Sequence, residues 1–295
     1  MNCWQGPHFQ STFGHHTQED ILHLFGGLKT LFLMHVNLPA IFFEKLPPLR
    51  FLCLAGVHLA SATDVALTPL SAFHPNAEIK ADYASLQEVH RLFRRSQQPL
   101  PGYTILQIND IIRGLRNVLE GSQNTLTRLE LQITYNCPPE DRYFDFGHYE
   151  RLTSLHIRMN HYDDVWDISR IFKCIHLYFI AAAELCNPPT SMSHLVNIEI
   201  SLFCSSTMQF SDVDLDKADD TVSTLVEGLG RLASSNITAH HPKLDSVKLN
   251  ITLPTASSVD VERETINNYR NFVERCIKEA VEVDNQTLTY AVQVD

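Results

Sequence analysis

The sequence is poor in features that mark several common classes of protein. Lys and Arg account for 23 of its 295 residues, against 34 Asp or Glu, and the formal net charge is −11. Because nucleic-acid binding depends on clustered Lys and Arg that meet phosphates, this balance argues against a nucleic-acid partner. No apolar run approaches the roughly 18 residues of a membrane-spanning helix, so we expect no membrane partner either.

Closely spaced cysteines are also missing. The seven cysteines are odd in number and widely spaced, and no C-x-x-C pair occurs. A disulfide framework or a zinc site is therefore not expected, and a reducing compartment fits better. The N-terminus has no basic-then-apolar signal segment. We predict an intracellular protein, cytoplasmic or nuclear.

The chain lacks catalytic and cofactor motifs that withstand inspection. No G-x-S-x-G, phosphate-binding loop or H-E-x-x-H occurs. The aspartates of 212–216 resemble the opening of a calcium loop, but Lys217 and Ser223 stand where Gly and Glu are needed. Gly228 and Gly230 resemble part of a dinucleotide fingerprint, but they fall in a predicted helix rather than after a strand. We therefore predict no cofactor, no metal and no catalytic residue.

What the chain does have is one apolar frame that returns along its length. The frame reads apolar-x-x-apolar-x-apolar, beginning with Leu28-Lys-Thr-Leu31-Phe-Leu33. It starts at positions 28, 49, 126, 152, 172, 195 and 244, so the steps are 21, 77, 26, 20, 23 and 49 residues. Repeats of roughly 20–29 residues are typical of leucine-rich solenoids. On that unit the 77-residue step spans about three repeats and the 49-residue step about two.

The frame itself has the alternation of a strand. Leu129 and Leu131 face one side while Glu130 and Gln132 face the other. Between frames the period becomes helical, over 108–119 and 222–232, and Ser85 with Glu88 has the spacing of a helix capping box. Strand, helix and parallel strand in turn predict an α/β fold. A doubly wound sheet is the alternative, but its strands would be continuously apolar, whereas polar residues alternate here.

These frames resemble the irregular leucine-rich repeats of fungal F-box-type proteins. The resemblance implies a horseshoe-shaped solenoid of parallel strands with outer helices, and a role in substrate recognition for a ubiquitin ligase. No F-box is recognisable before Leu28, and the Leu-Pro pair at Leu46 lies within the repeats as a turn. The ligase-docking role of such proteins is therefore assigned to no residue of this chain.

The predicted organisation has three parts, of which the solenoid is the largest. A terminal helix and strand after the last frame would cover its final apolar layer. The parts are a lead-in segment with a short helix over 1–27, the solenoid over 28–253 with an irregular insertion at 61–104, and a capping helix and strand over 254–295.

The outward strand positions are the predicted recognition surface. Those of the first two repeats form an apolar patch of Phe32, Met34 and Phe51, which we expect the lead-in, the insertion or a partner to cover. His156 and His176 would be neighbours if their strands pair in register. The predicted partner-binding residues are polar and come from the later repeats: Arg128, Glu130, Gln132, His156, Arg158, His176, Tyr178, Asn197 and Glu199.

Taken together, these features predict a non-enzymatic protein-interaction module whose protein partner is not identified by the sequence. Two alternatives stay open. The first is a metal-dependent hydrolase or transferase that uses histidines of the strand face. The second is a degenerate fragment of a longer F-box protein.

Overall fold

The chain divides into two compact units, Met1–Leu129 and Glu130–Asp295. The computed structural model describes residues 3–5, 27–39, 41–44, 46–60, 73–95, 97–111, 115–134, 148–161, 194–204, 243–253, 267, 271, 274 and 288–294.

The first unit alternates strands with short helices. Its sheet runs in the order β1-β2-β4-β6-β7, followed by the start of β8, and β3 pairs separately with β5. The elements are β1 (Cys3–Gln5), β2 (Thr30–Met34), β3 (Asn37–Pro39), α1 (Ile41–Glu44), β4 (Leu49–Ala55), β5 (His58–Ala60), β6 (Phe73–Asp82), α2 (Tyr83–Arg95), β7 (Ile105–Ile111), α3 (Leu115–Leu119) and β8 (Arg128–Thr134), which continues into the second unit.

The second unit contains strands in the order β8-β9-β10-β11-β12. Each strand pairing whose register is described, in either unit, is parallel. The predicted α/β class is thus confirmed as a mostly parallel sheet with few helices. The further strands are β9 (Ser154–His161), β10 (Asn197–Cys204), β11 (Ser246–Leu253) and β12 (Leu288–Val294).

A buried row of aliphatic side chains runs across the strands, because the frame places an apolar residue at every second position. Its members come into register from strand to strand, as in Leu31 beside Leu52 and Leu155 beside Ile198. All are at most 3% exposed. The buried row consists of Leu31, Leu33, Leu52, Leu54, Ile79, Ala81, Leu106, Ile108, Leu129, Leu131, Leu155, Ile157, Ile198 and Ile200.

The same backbone contact recurs where successive strands begin. The carbonyl of Lys29 accepts hydrogen bonds from the amides of both Arg50 and Phe51. The carbonyls of Thr104, Thr153 and Val196 each accept a pair of amides from the next strand in the same way. The repeat seen in the apolar side chains is therefore accompanied by a repeated pattern of backbone hydrogen bonds.

The strand register tests the predicted repeat steps. Two strands, β6 and β7, lie between β4 and β8, so the 77-residue step does contain three repeats. By contrast β9 pairs directly with β10, and β10 with β11, so the 49-residue step adds no strand between its two ends in the sheet. The connection between two parallel strands has a minimum length but no fixed length. The number of residues between two frames therefore does not give the number of strands between them. The frame at 172–179 lies outside the described residues.

The segment 61–104, predicted as an irregular insertion, contains β6, α2 and the approach to β7. Its frame is weak because small residues, Ala77 and Ala81, flank Ile79 in the buried row. The predicted helix over 108–119 is partly wrong: Ile108 lies in β7, which ends at Ile111, whereas Leu115–Leu119 is helical. A run rich in isoleucine fits both the two-residue period of a strand and the 3.6-residue period of a helix. The pattern therefore did not separate strand from helix.

Helix α2 was predicted, but its cap lies three residues earlier than expected. Asp82 Oδ1 accepts the backbone N–H of Ser85 at 2.7 Å, so Asp82 is the capping residue. Asp82 Oδ2 also accepts the amide of Gly56 at 2.6 Å, while Ser85 Oγ accepts that of Val57 at 2.8 Å. The start of α2 is thereby tied to the turn between β4 and β5.

The predicted end of the chain agrees with the residues that are described. Positions 267, 271 and 274 are helical, within the stretch where an amphipathic helix was expected. The predicted terminal strand is β12, which pairs with β11. Within the described parts of the chain, no helix is long and apolar enough to cross a membrane.

Candidate functional site

The predicted apolar patch lies on the outward face of β2 and β4 in the first unit. The rings of Phe32 and Phe51 pack with centroids 5.2 Å apart at an interplanar angle of 44°. Both rings and Met34 are half-buried. The two phenylalanines meet because Phe32 lies beside Cys53, two residues along β4 from Phe51 and on the same face. The structure therefore brings these three residues together as expected.

Apart from Phe203, which is 38% exposed, the described outward residues of β8 to β11 in the second unit are polar, and we call these polar residues the polar face. Two of its residues on β10 each have a register neighbour on both β9 and β11. Glu199 on β10 lies between His156 on β9 and Lys248 on β11, and Ser201 lies between Arg158 and Asn250. The polar face consists of Glu130, Gln132, Ser154, His156, Arg158, Asn197, Glu199, Ser201, Ser246, Lys248 and Asn250.

Three members of the polar face are buried and form its centre. Glu130, His156 and Ser201 are 8%, 7% and 5% exposed. His156 Nε2 lies 2.9 Å from Ser201 Oγ, at hydrogen-bond distance, and His156 Nδ1 lies 3.8 Å from Glu130 Oε1. When Ser201 donates to Nε2, the imidazole proton is on Nδ1 and faces the carboxylate. His156 thus links β8 to β10 and can exchange a proton with the serine hydroxyl.

Arg158 forms an ion pair with the buried carboxylate. Its Nε lies 2.7 Å from Glu130 Oε1, although the N–H is not aligned as a hydrogen bond. The Arg158 side chain is 40% exposed. A buried carboxylate needs such a partner, because loss of its hydration is costly. Arg158 consequently supports the centre from its accessible rim.

On the β11 side, hydrogen bonds between side chains continue the network. Asn250 Nδ2 donates to Glu199 Oε1 at 2.7 Å and lies 3.4 Å from Ser201 Oγ. Lys248 Nζ lies 3.7 Å from the same Glu199 oxygen. Ser246 Oγ donates to Asn197 Oδ1 at 2.7 Å. These contacts fix polar side chains of neighbouring strands against one another.

The first unit holds a second buried histidine, in a different setting. His90 on α2 is 3% exposed, and its Nε2 lies 2.9 Å from the hydroxyl of Tyr103. Burial lowers the pKa of His90 to about 4, outweighing a backbone hydrogen bond with Asn117 that raises it. Burial also raises the pKa of Tyr103. Both groups are neutral near pH 7, so this pair is suited to packing rather than to proton transfer.

The predicted partner-binding residues do not all lie at the surface. Asn197 is exposed and Glu199, Arg158 and Gln132 are half-exposed, but Glu130 and His156 are buried and cannot form the outer contact surface. Arg128 is exposed in the first unit. His176 and Tyr178 lie outside the described residues. The register neighbour of His156 on β10 is Glu199.

Sequence reasoning placed Ser201 and Asn250 on the outward face but gave them no role. Nothing in the residues near either position distinguishes them from other polar strand residues. Their meeting depends on the direct pairing of β10 with β9 and β11, across loops of unequal length. The proximity of Ser201 and Asn250 therefore becomes visible only once the strand register is known.

Comparison with known proteins adds no family. No protein-family model, no curated protein and no solved structure matches the chain. In the parts of the chain that are described, no group of three or more His, Cys, Asp or Glu side chains is arranged to hold a metal ion.

Proposed function

We propose that the protein is a protein-interaction module and that the polar face is its recognition surface. The observation that carries this proposal is the network of hydrogen bonds and ion pairs joining side chains of four adjacent strands. Side chains already held in place lose less conformational entropy when a partner binds, so more of the contact energy appears as affinity. Recognition of this kind requires no chemical step.

The accessible rim of the polar face has the chemistry of a specific protein contact. Asn197 and Lys248 are exposed, and the side chains of Arg158 and Glu199 are 40% and 38% exposed. Charges of both signs and amide groups select a partner by electrostatic complementarity. Arginine is also enriched among the residues that dominate binding energy. The buried centre holds this rim in position.

The finer form of the proposal is a leucine-rich-repeat solenoid that recognises substrates for a ubiquitin ligase inside the cell. Three features support the solenoid: the recurring apolar frame, the parallel pairing and the paired amides at successive strand starts. The resemblance to the repeats of F-box-type proteins supports the ligase context. The cysteine pattern supports a reducing compartment.

The test is affinity capture from the extract of cells that express the protein. We expect a specific partner to be retained by the native chain and lost from a variant with Asn197→Ala and Lys248→Glu. Both positions are exposed, so circular dichroism should show an unchanged fold. The matched control is Arg95→Glu, an equal charge reversal at an exposed position of α2.

Equal capture by both variants would contradict the proposal that the polar face binds. Loss of capture in the control as well would point to a general effect of charge and would contradict it in the same way. Ubiquitin-ligase subunits among the captured proteins would support the ligase context. Their absence from a specific capture would remove that context while leaving the recognition surface in place.

A further inference from the structure

We propose that the buried centre of the polar face is a serine acyl-hydrolase site, in which Ser201 is the nucleophile, His156 the general base and Asn250 the oxyanion donor. The expected substrates are carboxylic esters with short acyl groups. This inference goes beyond the recognition function, because it gives the same face a chemical activity.

The contact between nucleophile and base comes first. A serine hydroxyl is a weak nucleophile until a neighbouring base takes its proton, and the two side chains must lie within about 2.6–3.2 Å. Ser201 Oγ and His156 Nε2 are 2.9 Å apart. The strand register accounts for this contact, since Ser201 pairs with Arg158 and therefore stands diagonal to His156, which lies two residues earlier on β9.

Glu130 is the positioning residue. Its Oε1 lies 3.8 Å from Nδ1, the imidazole nitrogen that faces away from Ser201, and Arg158 Nε lies 2.7 Å from the same oxygen. A negative charge there favours the tautomer that leaves Nε2 free to accept the serine proton. It also stabilises the imidazolium that forms during reaction. The contact is longer than a hydrogen bond, and such contacts often tighten only when substrate binds.

Asn250 supplies the electrophilic contact. Its Nδ2 lies 3.4 Å from Ser201 Oγ, and Glu199 Oε1 fixes the same amide at 2.7 Å. A carbonyl carbon attacked by Oγ would place its oxygen within reach of this amide. Donors that are oriented beforehand stabilise the charge that develops on that oxygen, and one such donor contributes about 10²–10³ in rate.

The step balances without a cofactor. Ser201 Oγ forms a bond to the acyl carbon while its proton moves to His156 Nε2. The carbon–oxygen bond to the alcohol then breaks, and the alkoxide takes that proton and leaves as the free alcohol. Water, activated by the same nitrogen, attacks the acyl-serine, releases the carboxylic acid and restores the hydroxyl.

Burial sets the size of the substrate. The three central residues are at most 8% exposed, which leaves little room beside the hydroxyl for a bulky acyl chain. A small acyl group is therefore the appropriate probe. Ser201 lies inside β10. The G-x-S-x-G motif, which marks a serine on a strand-to-helix turn, is therefore not expected around it.

The experiment uses the full chain with methanesulfonyl fluoride, a small serine-directed reagent, and p-nitrophenyl acetate as probes. We expect peptide mass spectrometry to find the methanesulfonyl adduct on Ser201, with turnover of the acetate ester. Ser201→Ala should lose both, while His156→Gln should slow labelling by about 10²–10⁴-fold. Asn250→Ala should slow it by about 10²-fold. The control is Thr153→Ala, an exposed hydroxyl residue next to β9 and outside the polar face, which should react like the native chain.

Glu130→Gln separates positioning from a structural role. It should move the acid limb of the pH–rate profile to lower pH, because the imidazole loses the negative charge that favours its protonated form. Labelling of native protein no faster than of Ser201→Ala, with both folded by circular dichroism, would overturn the proposal. So would equal labelling of His156→Gln. Ser201→Ala keeps the exposed rim, so partner capture by this variant tests recognition independently.

Discussion

Strands β2 and β4 of the first unit and β10 of the second each bury aliphatic side chains, and the strand pairs β2–β4 and β10–β11 differ on the opposite face. In the first pair that face carries the packed rings of Phe32 and Phe51. In the second it carries the hydrogen bonds of Ser246 with Asn197 and of Asn250 with Glu199. Both pairs keep the same parallel register, with Leu31 beside Leu52 in one and Ile198 beside Val247 in the other.

The difference shows that the two faces of a strand carry separate constraints. The buried row must remain apolar and in register, because each strand buries its apolar side only against its neighbours. The outward residues are not bound by that requirement, so one strand pair can be aromatic and another polar. Stability should therefore depend mainly on the first face, and binding or chemistry on the second.

The largest test compares neighbouring residues on the two faces of β4. Leu52 is 0% exposed and belongs to the buried row, so Leu52→Ala should lower the free energy of unfolding by about 2–5 kcal/mol. Phe51 is half-buried on the other face, and Phe51→Ala should cost only about 1–2 kcal/mol, including its ring contact with Phe32. Urea unfolding measures both values. Similar losses for the two variants would show that the outward face is as much a core as the buried row.

Much of this organisation could be predicted from the sequence, because the frame records the buried row directly. Six of the seven frames, those at 28, 49, 126, 152, 195 and 244, are strands in the structure. The strand in β6 escaped because alanine carries little apolar signal, and that in β7 because its frame begins with Tyr103 and runs into isoleucines. The local composition of β6 and β7 obscured these strands in the sequence, although they pair in parallel like the others.

The candidate site could be predicted only in part, for a different physical reason. Alternation alone places His156 and Glu199 on the outward face. Which residue faces which depends on strand order, and strand order depends on crossovers whose length is not fixed. The neighbours of His156 were therefore not predictable, and the meeting with Ser201 appears only in the register.

The second prediction concerns His90, the buried histidine of the first unit, and the dependence of stability on pH. The pKa of His90 is about 4 in the folded protein and near 6.5 when unfolded. Between these values the unfolded chain binds more protons, so stability rises with pH across that window. The stability is fully present above pH 6.5 and is lost as pH falls towards 4, by up to about 3 kcal/mol.

Urea unfolding from pH 4 to 7 measures this loss. His90→Gln keeps a polar side chain near Tyr103 and removes the titration, so its stability should fall less steeply over that range. His58→Gln, at an exposed histidine of β5, is the control and should follow the native curve. A native-like slope in His90→Gln would assign the acid sensitivity to another group.

The third prediction concerns the turn between β4 and β5 in the first unit. Gly56 has a φ of +60°, and a Cβ there would lie 2.6 Å from His35 Nδ1. Its amide also donates to Asp82 at the start of α2. Gly56→Ala should therefore lower the free energy of unfolding by about 1–3 kcal/mol. Gly27→Ala, which would meet nothing within 4 Å, is the control for the general effect of adding a methyl group.

The smallest effect is expected on the outward face of β10 and β11. Ser246→Ala removes the 2.7 Å hydrogen bond to Asn197, and because that bond is exposed its loss should cost only about 0.5–1 kcal/mol. If the polar face recognises a partner through side chains held in advance, the same variant should weaken capture more than it weakens the fold, because Asn197 becomes free to rotate. Calorimetry of the captured partner would then show a larger unfavourable entropy of binding. An unchanged affinity would mean that Asn197 does not contact the partner, and a fold loss as large as that of Leu52→Ala would contradict the separation of the two faces.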